Sequence, residues 1–138
     1  MYELDRAQTL CRSILVVEDE KTIRESLVAL LENEGYTVYS ASNGKNGLEA
    51  LKSMPRPCLI LLDFMMPIMN GQEFLENKLH DEAIASIPVV VVSAYEDEAR
   101  TLKSSAFIKK PIDFDALLKF VNLFCGSAGG ALGPTGGA

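Results

Sequence analysis

Short apolar runs alternate with stretches of helical periodicity along most of the chain. Residues 14–17 are apolar, β-branched at three of four positions, and end in Glu18, Asp19 and Glu20; such a run predicts a buried strand. Over 21–34 the residues Ile23, Leu27, Leu30 and Leu31 fall at i, i+4, i+7 and i+8, one face of a helix, and Gly35 stands where a left-handed residue closes it. YTVYSA (36–41) predicts a second strand, with Ser42 as N-cap of a helix to about Ser53 that Pro55 and Pro57 stop. Residues 58–62 are apolar throughout, as a strand buried on both faces requires, and end at Asp63. FMMPIMNG is a loop, followed by a helix from about Gln72 to His80. Pro88 introduces a fourth strand over 89–92 that ends at Ser93, a short helix follows from Glu96 to about Ser104, and a fifth strand over 106–109 stops at Lys110-Pro111. Asp113 then caps a last helix with Phe114, Leu117, Leu118, Val121 and Phe124 on its buried face.

Strands alternating with helices imply βαβ units and a parallel sheet, and right-handed crossovers leave few topologies. A flavodoxin-like, doubly wound sheet of order 2-1-3-4-5 fits the count. Such sheets bind ligands beyond the carboxyl ends of the strands, where strands 1 and 3 diverge. At those ends stand Glu18, Asp19 and Glu20, then Asp63, Ser93 and Lys110. Carboxylates crowded together repel, and a hard divalent cation such as magnesium, which prefers oxygen ligands, relieves the conflict. A hydroxyl and an ammonium beside them suit a phosphoryl group, and a carboxylate in that setting can act as a nucleophile.

Composition narrows the classes. The chain has 138 residues, one domain's worth, with 13 basic and 19 acidic side chains and a net charge of −6. That balance lacks the basic face a direct nucleic-acid binder needs. One histidine, His80, excludes a histidine zinc cluster. Cys11, Cys58 and Cys125 are odd in number, widely spaced and without a CxxC pair, and read as free, mostly buried thiols of a reducing compartment. The N-terminal residues lack signal-peptide character and no apolar run is long enough to cross a membrane, so the expectation is a soluble, cytoplasmic domain. Six of the ten glycines fall in 126–138. The expected organisation is an N-terminal extension (1–12), a folded domain (13–125) and a flexible tail or linker (126–138).

Four stretches in order, ILVVEDE (14–20), LILLDFMMPIMNG (59–71), VVVVSA (89–94) and FIKKP (107–111), resemble the receiver domain of two-component response regulators. The resemblance implies a phosphoacceptor, Asp63, charged by a phosphohistidine of a histidine kinase or histidine phosphotransfer protein. It implies magnesium as the cofactor, bound by Asp19 and Asp63, by Glu18 through water and by the backbone carbonyl of Met65, with no organic cofactor. Ser93 and Lys110 would hold the phosphoryl group, Ser93 and Phe107 would form the conformational switch, and Pro111 would follow a cis peptide. Lys109 and Lys110 are adjacent; strand alternation sends them to opposite faces, and the residue before Pro111 matches the family. Phe107 could equally be core, and Glu20 could serve only the helix dipole. Met65 and Tyr95, two positions after Asp63 and Ser93, imply restricted water access and slow self-dephosphorylation, the one turnover expected of a domain that is not otherwise an enzyme.

The chain departs from the family between Ser93 and Lys110, where the helix before strand 5 is expected to be shortened or disordered. That bears on the surface through which an output partner or a second copy would bind. The alternative reading is therefore a receiver-like interaction module that is not phosphorylated. A flavodoxin is disfavoured because Glu18-Asp19-Glu20-Lys21 replaces a phosphate-binding loop after strand 1.

Overall fold

The computed structural model describes residues 12–66, 68–94 and 104–126. Five strands, β1 (Ser13–Val17), β2 (Thr37–Ala41), β3 (Leu59–Asp63), β4 (Val89–Ser93) and β5 (Ala106–Lys109), form one sheet in the order β2-β1-β3-β4-β5. Every neighbouring pair is parallel. β1, β3 and β4 are buried at every position, as their unbroken apolar sequences require. Among the described residues, four helices pack against the sheet: α1 (Lys21–Asn33), α2 (Gly44–Ser53), α3 (Gly71–Leu79) and α4 (Phe114–Phe124). The helix expected from Glu96 to about Ser104 falls largely on 95–103, outside the described residues.

Alternation along the strands divides the core in two. Ile14, Val16, Leu59, Leu61, Val90 and Val92 meet α1 through Leu27 and Leu31, and α4 through Leu117 and Val121. Leu15, Val17, Ile60, Leu62, Val89 and Val91 meet α2 through Leu51, and α3 through Phe74 and Leu75. With helices on both faces the sheet is doubly wound, and all its carboxyl ends point the same way.

Local chemistry sets the ends of the elements. Asn70 and Glu73 form a reciprocal capping box that starts α3. Asp113 accepts from the Asp115 and Ala116 amides at the start of α4. At α2 the cap is Asn43, whose side chain accepts from the Asn46 amide at 2.8 Å, rather than Ser42, one residue too early to reach it. Gly35 closes α1 at φ +97°, a conformation glycine enters without a Cβ penalty. At Gly71 a Cβ would come within 2.9 Å of the Phe64 Cα, so a side chain there would push the β3–α3 loop off the helix.

Two further expectations are corrected. Phe114 shares the helical face of Leu117 and Val121 but is not buried: it is 44% exposed, because it is the first residue of the helix and borders an open groove beside Ile23 and Leu27. Cys58 and Cys125 are not free thiols but a disulfide, with Cα atoms 5.1 Å apart across a sequence separation of 67. β3 begins at the amino end of the sheet, and α4, running back across it, ends there as well.

Candidate functional site

Three buried polar residues lie where β1, β3 and β4 end: Glu18 and Asp63, each 2% exposed, and Ser93 at 1%. Their positions follow from register. Val17 pairs with Leu62, Asp63 with Val92, and Ser93 with Lys109, so the first residues past each apolar run share one rim. Carboxylate oxygens of Glu18, Asp19 and Asp63 lie within 4.8 Å of one another. Lys110, one residue past β5, brings its Nζ to 3.1 Å from Asp63 Oδ1 and 3.9 Å from Glu18 Oε1. Its amide donates to the Ser93 carbonyl, and the Lys110–Pro111 peptide is cis. Lys109 is exposed. Of the adjacent lysines, Lys110 is therefore the one that meets the acids.

Glu18 is fixed at several points. Its amide donates to the Ala41 carbonyl, and its Oε2 accepts from the Glu20 amide at 3.1 Å. Asp63 is different: among the described residues neither carboxylate oxygen has a hydrogen-bond donor, and Lys110 meets it as an ion pair. Burial pushes the Glu18 carboxyl up to about 7, against the Glu20 amide that holds it down, and the nearby Asp63 charge raises it further. Burial also raises Asp63, partly countered by Lys110 and reinforced by Asp19. Lys110 is pushed down by its own burial, but the surrounding acids outweigh this and its net shift is upward. Three acids facing one ammonium leave the cluster short of positive charge. Hard oxygen donors, two of them without hydrogen bonds, suit a divalent cation.

Phe107 is half-buried, pairs in register with Val91 and packs on the α2–α3 face of the sheet. Ser93 lies two residues beyond Val91 on the same face. Met65 is 53% exposed in the β3–α3 loop, whereas Met66 is buried and Met69 packs beside it as core filler. Tyr95 lies outside the described residues. Glu20 is exposed and serves as the N-cap position of α1 through its backbone. His80 is exposed at the C-cap of α3. A largely apolar groove of about 230 Å³ opens beside Lys110, lined by Ile23 and Leu27 of α1 and by Pro111, Ile112 and Phe114.

One residue of the site is not legible in the sequence. Arg24, one turn into α1, donates from Nη1 to the Glu18 carbonyl at 2.8 Å and the Asp19 carbonyl at 3.3 Å. Its only sequence signal is an arginine placed so that its side chain reaches back over the start of its own helix.

Comparison with known proteins shows the family and the fold. The family model for the response regulator receiver domain matches residues 14–122. PilH of Pseudomonas aeruginosa is 32% identical over 114 residues, which span 79% of this chain and 93% of PilH. The transcriptional regulatory protein CrdR of Helicobacter pylori is 38% identical over 112 residues, but the match spans only 51% of that protein, about half its length. The receiver domain of sensor histidine kinase PA1611 from Pseudomonas aeruginosa, a structure with a magnesium ion coordinated in its active site cleft, has the same fold. Its TM-score is 0.76 at 21% identity, covering 84% of this chain and 98% of that one. With the family model spanning most of the sheet and its rim, the chain belongs to the response regulator receiver domains, the phosphorylatable signalling domains of two-component systems.

Proposed function

We propose that this chain accepts a phosphoryl group on Asp63 from a phosphohistidine of a histidine kinase or histidine phosphotransfer protein, with Mg2+ held by Glu18, Asp19, Asp63 and the backbone carbonyl of Met65. The observation that carries this reading is the state of Asp63. It is a buried carboxylate that, among the described residues, has no partner but charge: the Lys110 ammonium lies 3.1 Å from Oδ1 and no amide or hydroxyl donates to either oxygen. A nucleophile needs a lone pair not committed elsewhere and charge beside it that stabilises the product.

In the transfer, an Asp63 oxygen attacks phosphorus. The P–O bond forms as the P–N bond of the donor breaks, and the electron pair returns to the imidazole nitrogen. Lys110 then pairs with a phosphoryl oxygen and the Ser93 hydroxyl donates to another. When bound, the metal neutralises charge on both the donor phosphate and the acceptor carboxylate. Because Ser93 and Phe107 belong to one face of adjacent strands, displacement of Ser93 toward the phosphate opens space for the Phe107 ring. The phosphoryl group thereby shifts the population between two arrangements of β4 and β5.

The groove beside Lys110 supports docking of the phosphodonor's histidine-bearing element, since a partner seated between α1 and Phe114 lies within reach of the Asp63 rim. Residues 13–125 serve as the receiver, preceded by a short extension and followed by a glycine-rich linker or tail. Cytoplasmic location goes with this reading; no helix among the described residues is long and apolar enough to cross a membrane. Incubation with acetyl phosphate and Mg2+ should add one phosphoryl mass, measured on the intact protein, and Asp63→Asn should abolish the gain. No gain from acetyl phosphate or from a panel of kinases would overturn the reading in favour of a docking module that is not phosphorylated.

A further inference from the structure

The turn that carries two of the three acids is only Glu18, Asp19 and Glu20, between the end of β1 and the start of α1. α1 lacks the usual aid to such a turn: no side chain caps its N-terminus, and no acid lies in its first turn. The turn is held from two sides instead. On the sheet side, the Glu18 amide is tied to Ala41. On the helix side, Arg24 binds the Glu18 and Asp19 carbonyls with one nitrogen, at 2.8 and 3.3 Å. Arg24 projects, half-buried, from a helix anchored to the core by the fully buried Leu27 and Leu31. With both carbonyls engaged on the Arg24 side, the peptide planes of the turn are set, and the carboxylates of Glu18 and Asp19 project toward Asp63.

We infer that Arg24 is a positioning residue: by clasping the Glu18 and Asp19 carbonyls it preorganises the acidic turn and so strengthens divalent-cation binding, although it is itself a cation. This rests on the reading of the three acids as a metal site, and it concerns Arg24 alone. Two effects oppose each other. Loss of the positive charge should strengthen cation binding through Coulomb attraction, while loss of the clasp should weaken it. A guanidinium turned away from the carboxylates, onto their carbonyls, favours the second. Removing a group that orients metal ligands weakens affinity on the order of 10-fold or more.

The test is calorimetric titration of the full chain with Mg2+ at constant ionic strength, for wild type, Arg24→Ala and Arg24→Gln, with thermal unfolding in EDTA recorded alongside. The expected result is a Kd raised on the order of 10-fold in Arg24→Ala, with a smaller rise in Arg24→Gln, whose amide can still donate to one carbonyl. Each variant is measured well below its own Tm. A purely structural role would lower the Tm in EDTA and leave the Kd unchanged, which would overturn the inference, as would a tighter Kd. If Arg24→Ala does not fold, Arg24→Gln decides: weaker binding supports the clasp, and equal or tighter binding refutes it. Wild type that takes up no Mg2+ would remove the metal site itself, a failure distinct from a wild type that binds and variants that bind equally well.

Discussion

The two ends of the same parallel sheet are built on opposite principles. At the amino end, most groups are tied to partners, the buried Tyr36 hydroxyl being the exception among the described residues. Cys58 is bonded to Cys125, the Arg12 guanidinium lies 4.6 Å from the Tyr36 ring centroid and donates to the Gly35 carbonyl, and the Cys58 and Thr37 amides donate to the Ser13 and Arg12 carbonyls. At the carboxyl end, three carboxylates crowd one ammonium, and the central one, Asp63, has no hydrogen-bond donor among the described residues. One end ties the strands and helices together. The other keeps buried charge in a state that binding partners, a cation and a phosphoryl group, would relieve. Stability and reactivity are thus separated by the length of a strand, and substitutions at the two ends should have opposite consequences.

The sharpest test of this contrast is Asp63→Asn. It should remove phosphoryl uptake entirely, yet the Tm in EDTA should not fall, because the substitution relieves a crowded, buried acid. A clear drop in Tm would mean that the Lys110 pair is a structural tie after all. At the other end, Cys58→Ser with Cys125→Ser should cost about 2–4 kcal/mol in urea unfolding, the usual effect of opening a long covalent loop. Phosphoryl uptake per folded molecule should be unchanged, and a loss of uptake would mean that the two ends are coupled.

A gentler probe is pH. The Glu18 carboxyl is raised from its ordinary value of 4.5 to about 7, so the folded state holds that proton more tightly than the unfolded chain does. Its contribution to stability is therefore present below pH 4.5 and lost as pH rises through about 7. Stability in EDTA should show this downward component over that window, and saturating Mg2+ should cancel it by favouring the ionised form. A rise with pH attributable to Glu18, isolated by comparison with Glu18→Gln, would reverse the sign. The smallest effect belongs to neither end's special chemistry: Asn70→Ala removes the capping box of α3 and should cost about 1 kcal/mol.

Some positions show how far local pattern reaches. The apolar runs of β1, β3 and β4 and the polar residue that ends each one are adjacent in sequence, so the rim residues Glu18, Asp63 and Ser93 are legible from the chain's own pattern. The shift of the α2 cap from Ser42 to Asn43 is a difference of one residue, since both side chains are good caps and only backbone geometry selects between them. Arg24 leaves no such mark because its partners are carbonyls, which every residue carries.

The alternation of apolar runs and helical stripes determined the parallel, doubly wound sheet and the acidic, hydroxyl and lysine residues at its carboxyl ends, because period and run length are properties of neighbouring residues. The tertiary structure alone brought Arg24 back over the acidic turn and Cys58 to Cys125. Each of these is a distance between residues separated in sequence. Strand order, register and the return direction of a helix set such distances, and no local pattern records them.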